Sequence, residues 1–142
     1  MVLRVRLRVK SGSGEVELVV LANGGAESDE PLLVVDESTA ERLGLWPSEE
    51  AELYEVEEAT TTSRAYVISD PVELELLDGE ETLSKITAHL AVGEGLSEPL
   101  ITDVTIDALG IQIISFGKGL WRHASDTPSK IRRGMPRYST IY

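Results

Sequence analysis

Cysteine is absent from this chain of 142 residues, which excludes disulfide bonds, thiolate catalysis and zinc sites built on cysteine. The sequence contains no apolar run long enough to cross a bilayer. Residues 1–10 alternate charged and apolar side chains, so they lack the apolar stretch of a signal peptide. The length suits one domain with its own core. We therefore expect a single cytoplasmic domain, at residues 1–142, without a membrane segment.

Amide side chains are nearly absent as well. Asn23 is the only asparagine and Gln112 is the only glutamine, whereas glutamate is abundant and arginine outnumbers lysine. Such a composition is typical of proteins adapted to heat, which avoid thermolabile amides. It predicts a thermophilic habitat and carries no information about activity.

Histidine is scarce too, since His89 and His123 are the only two in the chain. Neither has a second histidine or an acidic residue at the spacing of a zinc ligand. The pattern predicts neither a metal site nor a cofactor.

The formal net charge of −12 is distributed unevenly. Residues 1–10 and 118–142 contain most of the bases, and all but one of the 25 acidic residues lie between them. Basic ends and an acidic centre allow the chain to pair with itself or with an identical partner. The alternative is a basic C-terminal segment that binds nucleic acid with help from Trp121, Tyr138 and Tyr142. Because the acidic centre would repel phosphate, we expect self-association and not nucleic-acid binding.

The apolar pattern indicates an all-β chain with two short helices. A first helix is predicted near residues 36–44, capped by an aspartate and ended by a glycine, and a second spans Asp103–Leu109. After Gly117 the pattern is lost, so residues 117–142 are predicted to form an irregular basic segment that wraps the domain. The predicted strands are Val2–Lys10, Glu15–Ala22, Pro31–Val35, Ala51–Glu57, Ser63–Ser69, Val72–Leu77, Thr82–Val92 and Ile111–Ser115.

An approximate repeat lies within this order of elements. Pro31-Leu32-Leu33 is followed by an acidic-capped helix and by Leu43-Gly44-Leu45. Pro99-Leu100-Ile101 is likewise followed by an acidic-capped helix and by Leu109-Gly110-Ile111. A strand–helix–strand unit used twice predicts a domain with internal pseudo-two-fold symmetry.

The most informative stretch of the chain is a glycine-rich turn. The apolar run Val16–Leu21 leads into Asn23-Gly24-Gly25-Ala26, which predicts a strand followed by a sharp bend with one short polar side chain at the bend. Asn-Gly between apolar runs is also the strongest short signal of a β-hairpin, and that interpretation requires no chemistry at all.

These motifs resemble the retropepsin-like (retroviral-type) aspartic proteases over roughly residues 15–115. In that family an apolar strand ends in Asp-Thr-Gly-Ala, and a helix ending in Leu-Gly-Leu and a flap hairpin follow. A second apolar motif then precedes a last helix ending in Leu-Gly-Ile. Here residues 23–26 match the first motif, Leu100-Ile101-Thr102 match the second, and Glu58–Thr62 match the flap tip. The resemblance implies a closed β domain assembled as a homodimer.

The chain departs from the family at the catalytic motif. Asn23 stands where the family has its catalytic aspartate, Gly24 stands where a threonine braces the dimer, and Thr102 replaces a glycine. The family's chemistry needs two carboxylates that share a proton, and a carboxamide is too weak a base to accept one. The resemblance therefore implies a degenerate site, with three residues at the catalytic position (Asn23, Gly24, Gly25) and five for binding (Ala26, Asp29, Thr60, Thr61, Thr102).

Three functions are compatible with this pattern. The first is a non-catalytic module that binds an extended peptide or a protein partner in a dimer cleft. The second is an aspartic endopeptidase that becomes active only when Asn23 is converted to an aspartate by deamidation. The third is a purely structural dimer without a ligand.

Overall fold

The computed structural model describes residues 2–48, 51–57 and 62–136. These residues are mostly β with two short helices, as the sequence predicts. The helices are α1 (Glu37–Arg42) and α2 (Asp103–Ala108). The strands are β1 (Leu3–Lys10), β2 (Glu15–Ala22), β3 (Leu32–Val35), β4 (Glu52–Glu57), β5 (Thr62–Asp78), β6 (Glu81–Gly93), β7 (Leu100–Ile101), β8 (Ile111–Ser115), β9 (Leu120–His123) and β10 (Arg132–Arg133).

None of the helices in residues 2–48, 51–57 and 62–136 is long and apolar enough to cross a membrane.

The larger sheet has the strand order β1-β2-β7-β3-β6-β5-β4. Because β1 also pairs with β5, six of these strands form a closed circuit, and β4 extends from β5 outside it. The interior of the circuit contains the main apolar core, which includes the fully buried Leu7, Leu33, Leu74, Leu90 and Ile101.

Strand β1 lies between β2 and β5, and its apolar and basic residues alternate strictly. Its apolar side chains are buried and its basic side chains lie on the other face, in half-exposed positions. In the antiparallel pairing with β2, Lys10 lies opposite Glu15 and Arg8 lies opposite Glu17. Opposite charges on facing residues stabilise this register.

Both helices lie where the sequence predicts, but the predicted acidic cap is wrong for α2, whose N-cap is Thr102 without a side-chain capping bond. The carboxylate of Asp36 accepts a hydrogen bond from the backbone N–H of Thr39 (2.8 Å), which caps α1. Gly44 follows α1 with φ +74° and Gly110 follows α2 with φ +79°. Positive φ is costly for any residue with a Cβ, so glycine ends each helix at little cost.

The predicted strands Ser63–Ser69 and Val72–Leu77 are wrong as separate elements, because they are continuous in the 17-residue β5. Asp-Pro within this segment is a signal for a turn. Instead of a turn, the structure has a register shift between Ile68 and Val72 in the pairing of β5 with β6. Proline is tolerated at such a bulge because no ladder hydrogen bond is required there.

The expectation of an irregular segment after Gly117 is wrong for the residues described up to 136. β9 pairs with β8 and β10 pairs with β9, which forms a separate three-stranded sheet. The inward side chains of these strands are Trp121, His123 and Arg132, all buried. Two of the three are polar, so the strands lack the apolar alternation by which sequence analysis finds them.

Candidate functional site

Asn23 directly follows β2, at the point where the two motifs of the sequence meet. β2 and β7 are parallel, with Leu21 opposite Leu100 and Ala22 opposite Ile101. The backbone N–H of Asn23 then donates to the carbonyl of Ile101 (3.1 Å). The structure thus brings together the two segments that sequence analysis compared with the family's active-site motifs.

The loop at Asn23 is a compact turn held by its own hydrogen bonds. The side-chain oxygen of Asn23 accepts from the N–H of Gly25 (3.1 Å), and its carbonyl accepts from the N–H of Ala26 (3.0 Å). Gly24 is exposed at the tip, and a Cβ added there would meet no atom within 4 Å. The open tip is therefore the part of the loop that another molecule can approach.

The hairpin-only interpretation of Asn23-Gly24 is wrong. A type I′ hairpin turn requires positive φ at both central residues. Neither residue has it, since the described residues with positive φ are all glycines at other positions. Moreover, β2 pairs with β1 and β7 and not with β3, the next strand along the chain.

A chain of hydroxyl groups fixes the Asn23 loop to the start of α2. The hydroxyls of Ser28 and Thr102 are hydrogen-bonded to each other (2.6 Å), as are those of Thr102 and Thr105 (2.8 Å). The Thr105 hydroxyl accepts from the N–H of Leu32 (2.8 Å) and donates to its carbonyl (3.1 Å). Sequence analysis missed Ser28 and Thr105, although threonines three residues apart in a first helical turn share one face.

The predicted binding residues differ in their access to solvent. Ala26 and Thr102 are 0% exposed, so they are not contact surfaces for a ligand and instead support the loop from within. Asp29 is exposed. Thr60 and Thr61, at the predicted flap tip, lie outside the described residues.

Two cavities adjoin Asn23 on different sides of its loop. The smaller, about 220 Å³, has an apolar wall formed by Leu21, Val34, Leu96 and Leu100. The larger, about 500 Å³, is an open depression around residues 21–25 and includes the two exposed apolar side chains Val2 and Phe116. Leu21 and Asn23 line both cavities.

The carboxylates at the smaller cavity are already engaged within the chain. Glu98 accepts two hydrogen bonds from the guanidinium of Arg4 (2.7 and 3.0 Å), which raises the pKa of Arg4. Glu94 accepts from the hydroxyl of Tyr66 (3.0 Å), which raises the pKa of that phenol. In these contacts both glutamates accept hydrogen bonds from a guanidinium or a phenol, which is not the arrangement of a proton-sharing acid pair.

The chemistry available at Asn23 is that of an amide. A carboxamide offers a hydrogen-bond acceptor and two donors and does not activate water as a base. Over residues 2–48, 51–57 and 62–136, no three histidine or acidic side chains are grouped so that they could hold a metal ion.

Comparison with protein-family models, with curated proteins and with solved structures finds no significant match.

Proposed function

We propose that this chain is a retropepsin-like module that binds an extended polypeptide beside Asn23 without cleaving it, and that two copies complete the cleft. The observation that carries the proposal is the position of Asn23. Asn23 lies at the end of β2, beside β7, and lines both of the adjoining cavities.

The pattern of strand pairing supports the family likeness. β2 is parallel to β7, β3 is parallel to β6, and β3 and β7 are antiparallel to each other. Exchanging β2 with β6 and β3 with β7 reproduces the same set of pairings. In addition, α1 follows β3 and α2 follows β7. These relations favour an internal pseudo-two-fold repeat built from the two halves that the sequence predicts.

The size of the smaller cavity favours a polypeptide ligand. Its volume of about 220 Å³ is below the roughly 300–1,000 Å³ typical of small-molecule sites. Its apolar wall suits one apolar side chain, and extended peptides characteristically place alternate side chains in pockets of this kind. Since Asn23 supplies no base, the bound chain is retained and not hydrolysed.

The exposed apolar side chains at the larger cavity support a dimer. Val2 is 41% exposed and Phe116 is 43% exposed, and both flank the open tip at Gly24. A two-fold contact through this surface would cover both side chains and bring two Asn23 loops together. Light scattering at high salt should therefore show a dimer, and Phe116→Asp should shift it to monomer.

Binding of fluorescein-labelled β-casein, followed by fluorescence anisotropy, tests the proposal. Leu96→Arg places a charge in the smaller cavity and should weaken binding at least about ten-fold. Leu53→Arg is the matched control, because Leu53 is 54% exposed and does not line the cavity. Equal binding by the two variants would contradict the proposed cleft. Cleavage of casein at acid pH by protein retaining Asn23, undiminished in Asn23→Ala, would contradict its non-catalytic role.

The open loop tip favours a second candidate, an aspartic endopeptidase produced by deamidation of Asn23. Gly24 offers the least steric hindrance of any residue to attack by its own backbone nitrogen on the asparagine side chain, and it is exposed here. The resulting aspartate would retain the hydrogen bond from Gly25. Two such loops across a dimer would then supply two carboxylates that titrate as a pair.

Mass spectrometry of aged protein separates the two candidates. The endopeptidase requires that peptide mapping finds acid at residue 23 and that acid-optimum, pepstatin-sensitive cleavage of casein grows in proportion. Asn23→Asp should then be active at once. An inactive Asn23→Asp variant that still folds and dimerises would eliminate this candidate.

A further inference from the structure

A third cavity, of about 510 Å³, is lined by β2, by α1 and by residues 96–99, which precede β7. Asn23 is not among the residues that line it. Its volume falls within the roughly 300–1,000 Å³ of small-molecule sites, whereas the smaller cavity beside Asn23, about 220 Å³, is below that range. The third cavity therefore has the size of a small-molecule site, and its lining indicates what such a molecule would be.

Most of the charged side chains that line this cavity already have partners within the chain. A carboxylate oxygen of Glu17 lies 3.7 Å from the guanidinium of Arg6, and both residues line the cavity. Glu98 also lines it and accepts two hydrogen bonds from the guanidinium of Arg4 (2.7 and 3.0 Å). These charges are compensated without a ligand.

Two opposite charges at the ends of α1 remain. Asp36 is the N-cap of this helix and Arg42 is its last residue, and both are exposed and line the cavity. No ion pair joins either of them to an opposite charge in the described part of the chain. One carboxylate oxygen of Asp36 accepts from the N–H of Thr39, which leaves the second oxygen for another donor. The cavity therefore presents one uncompensated anion and one uncompensated cation.

The helix sets the separation of these two charges. With a rise of about 1.5 Å per residue, the backbones of Asp36 and Arg42 lie roughly 9 Å apart along the axis of α1. Side chains on a helix are tilted toward its N-terminus, so the guanidinium lies closer to Asp36 than the Arg42 backbone does. A molecule that contacts both charges must carry its own charges several ångströms apart. A free α-amino acid, with both charges on one carbon, is too short.

The uncharged lining suits the body of such a molecule. Four apolar residues line the cavity, namely Leu18, Val19, Leu96 and Pro99. The exposed serines Ser38 and Ser97 add two hydroxyl groups. Apolar contacts with a few polar groups are what the uncharged part of a small ligand requires.

We propose that this cavity binds a small zwitterion whose ammonium contacts Asp36 and whose carboxylate contacts Arg42, with a short chain between the two charges. Both contacts are charge-assisted hydrogen bonds, and a guanidinium matches the planar geometry of a carboxylate. An ω-amino acid and a short peptide with free ends share this chemistry. The site is separate from the one proposed beside Asn23 and does not depend on it.

Titration of the ¹⁵N-labelled protein with 6-aminohexanoate, followed by NMR, tests the proposal. Saturable shifts should appear at the backbone amides of Ser38, Thr39 and Ser97, with a dissociation constant on the order of 1 mM. Hexanoate lacks the ammonium and hexylammonium lacks the carboxylate, so each should bind at least about five-fold more weakly. Because the chain has a net charge of −12, equal binding of hexylammonium would indicate general attraction of cations and would overturn the proposal. Equal binding of hexanoate, or no saturable shift, would do the same.

Charge-removing variants assign the two contacts. Arg42→Gln and Asp36→Asn should each weaken binding of 6-aminohexanoate at least about five-fold. Asparagine caps a helix as well as aspartate does, so α1 is retained in the second variant. Arg133→Gln and Glu37→Gln are the matched controls, because both residues are exposed and neither lines the cavity. Arg42→Lys, which keeps the charge, should bind better than Arg42→Gln. Binding that Arg42→Gln or Asp36→Asn leaves unchanged would refute the assignment.

Dialanine distinguishes the two sources of this chemistry. If it binds more tightly than 6-aminohexanoate and Ser97→Ala removes the difference, the ligand is a short peptide whose peptide group contacts the Ser97 hydroxyl. If it binds no more tightly, the ligand is an ω-amino acid. Casein binding beside Asn23 should be the same in Arg42→Gln as in the wild type, so the failure of either proposal leaves the other standing.

Discussion

The two ends of the chain are alike in sequence charge and different in structure. β1 carries four bases, and each lies within 4 Å of an acid: Arg4 pairs with Glu98, Arg6 with Glu17, and Arg8 and Lys10 with Glu75. In the described part of the C-terminal end, only Arg132 has such partners. A base in a strand flanked on both sides by acidic strands is neutralised locally. A base on a small separate sheet is not, and it remains available to other molecules.

Arg132 shows that the C-terminal region contains two classes of base. Its side chain is 5% exposed, its guanidinium donates two hydrogen bonds to Asp126 (2.7 and 2.8 Å), and it also reaches Asp78 (2.7 Å). These contacts raise the pKa of Arg132 and hold the pKa of Asp126 well below its usual range. Its neighbour Arg133 is exposed and forms no ion pair with any acid in the described part of the chain. Arg132 thus stabilises the fold, whereas the adjacent Arg133 contributes its charge to the surface.

The largest expected effect is that of Trp121→Ala. Trp121 is 2% exposed and belongs to the main core, so the C-terminal sheet is part of the domain and not an appendage. Its truncation should lower the free energy of unfolding by about 3–5 kcal/mol, measured by urea denaturation. Ile131→Ala, at a 57% exposed position, should change it by less than about 0.5 kcal/mol. Similar losses in both would refute the distinction.

Arg132→Met should come next. Removing one partner of a buried ion pair leaves an uncompensated acid, and the expected loss is about 3 kcal/mol. Arg133→Met, one residue away, should cost less than about 0.5 kcal/mol. If Arg133→Met destabilised the monomer as much as Arg132→Met, the two classes of base would not exist.

Glu75 of β5, which pairs with Arg8 and Lys10 of β1, should make the stability of the protein depend on pH. The Arg8 guanidinium, helped by Lys10 and Lys85, lowers the pKa of Glu75 from 4.5 to about 2. A carboxylate with a depressed pKa contributes stability that is complete above its unfolded pKa and is lost as pH falls through the folded one. The melting temperature should therefore fall between about pH 4.5 and pH 2.

Glu75→Gln isolates this contribution. At neutral pH the variant should melt several degrees lower, because three cations then surround a neutral side chain. Its melting temperature should also fall less steeply than that of the wild type over the same acid range. Parallel curves for the two proteins would assign the acid sensitivity to other carboxylates.

Local rules predict much of the larger sheet. The β1–β2 register follows from alternation and facing charges, and the ends of both helices follow from an N-cap or a glycine. The sequence also places the Asn23 loop correctly after β2. Rules of this kind fail where long-range partners decide the outcome. Arg132 is buried because Asp126 and Asp78 meet it, and no spacing in the sequence shows that meeting.

The position of the Asn23 loop was predictable from the sequence, but the exposure of its side chains was not. Ala26 and Thr102 occupy the matched motifs, yet the packing of α2 against the loop buries both. The apolar wall of the smaller cavity joins Leu96 to Leu21, residues that are far apart in sequence. Exposure depends on how such distant segments pack, and a single sequence does not encode it in any local pattern.

The closed circuit of strands also constrains the order in which the molecule can form. β1 is the first strand of the chain, yet its second neighbour is the stretch Glu73–Leu77 of β5. The circuit can therefore close only after this later stretch has joined it, although the β1–β2 hairpin can form early. Bringing such distant segments together carries a loop-closure entropy cost, and chains dominated by pairings of this kind fold slowly. The pairing of β1 with β5 should therefore form in the rate-limiting step of folding. Substitutions in this pairing should slow refolding more than they speed unfolding.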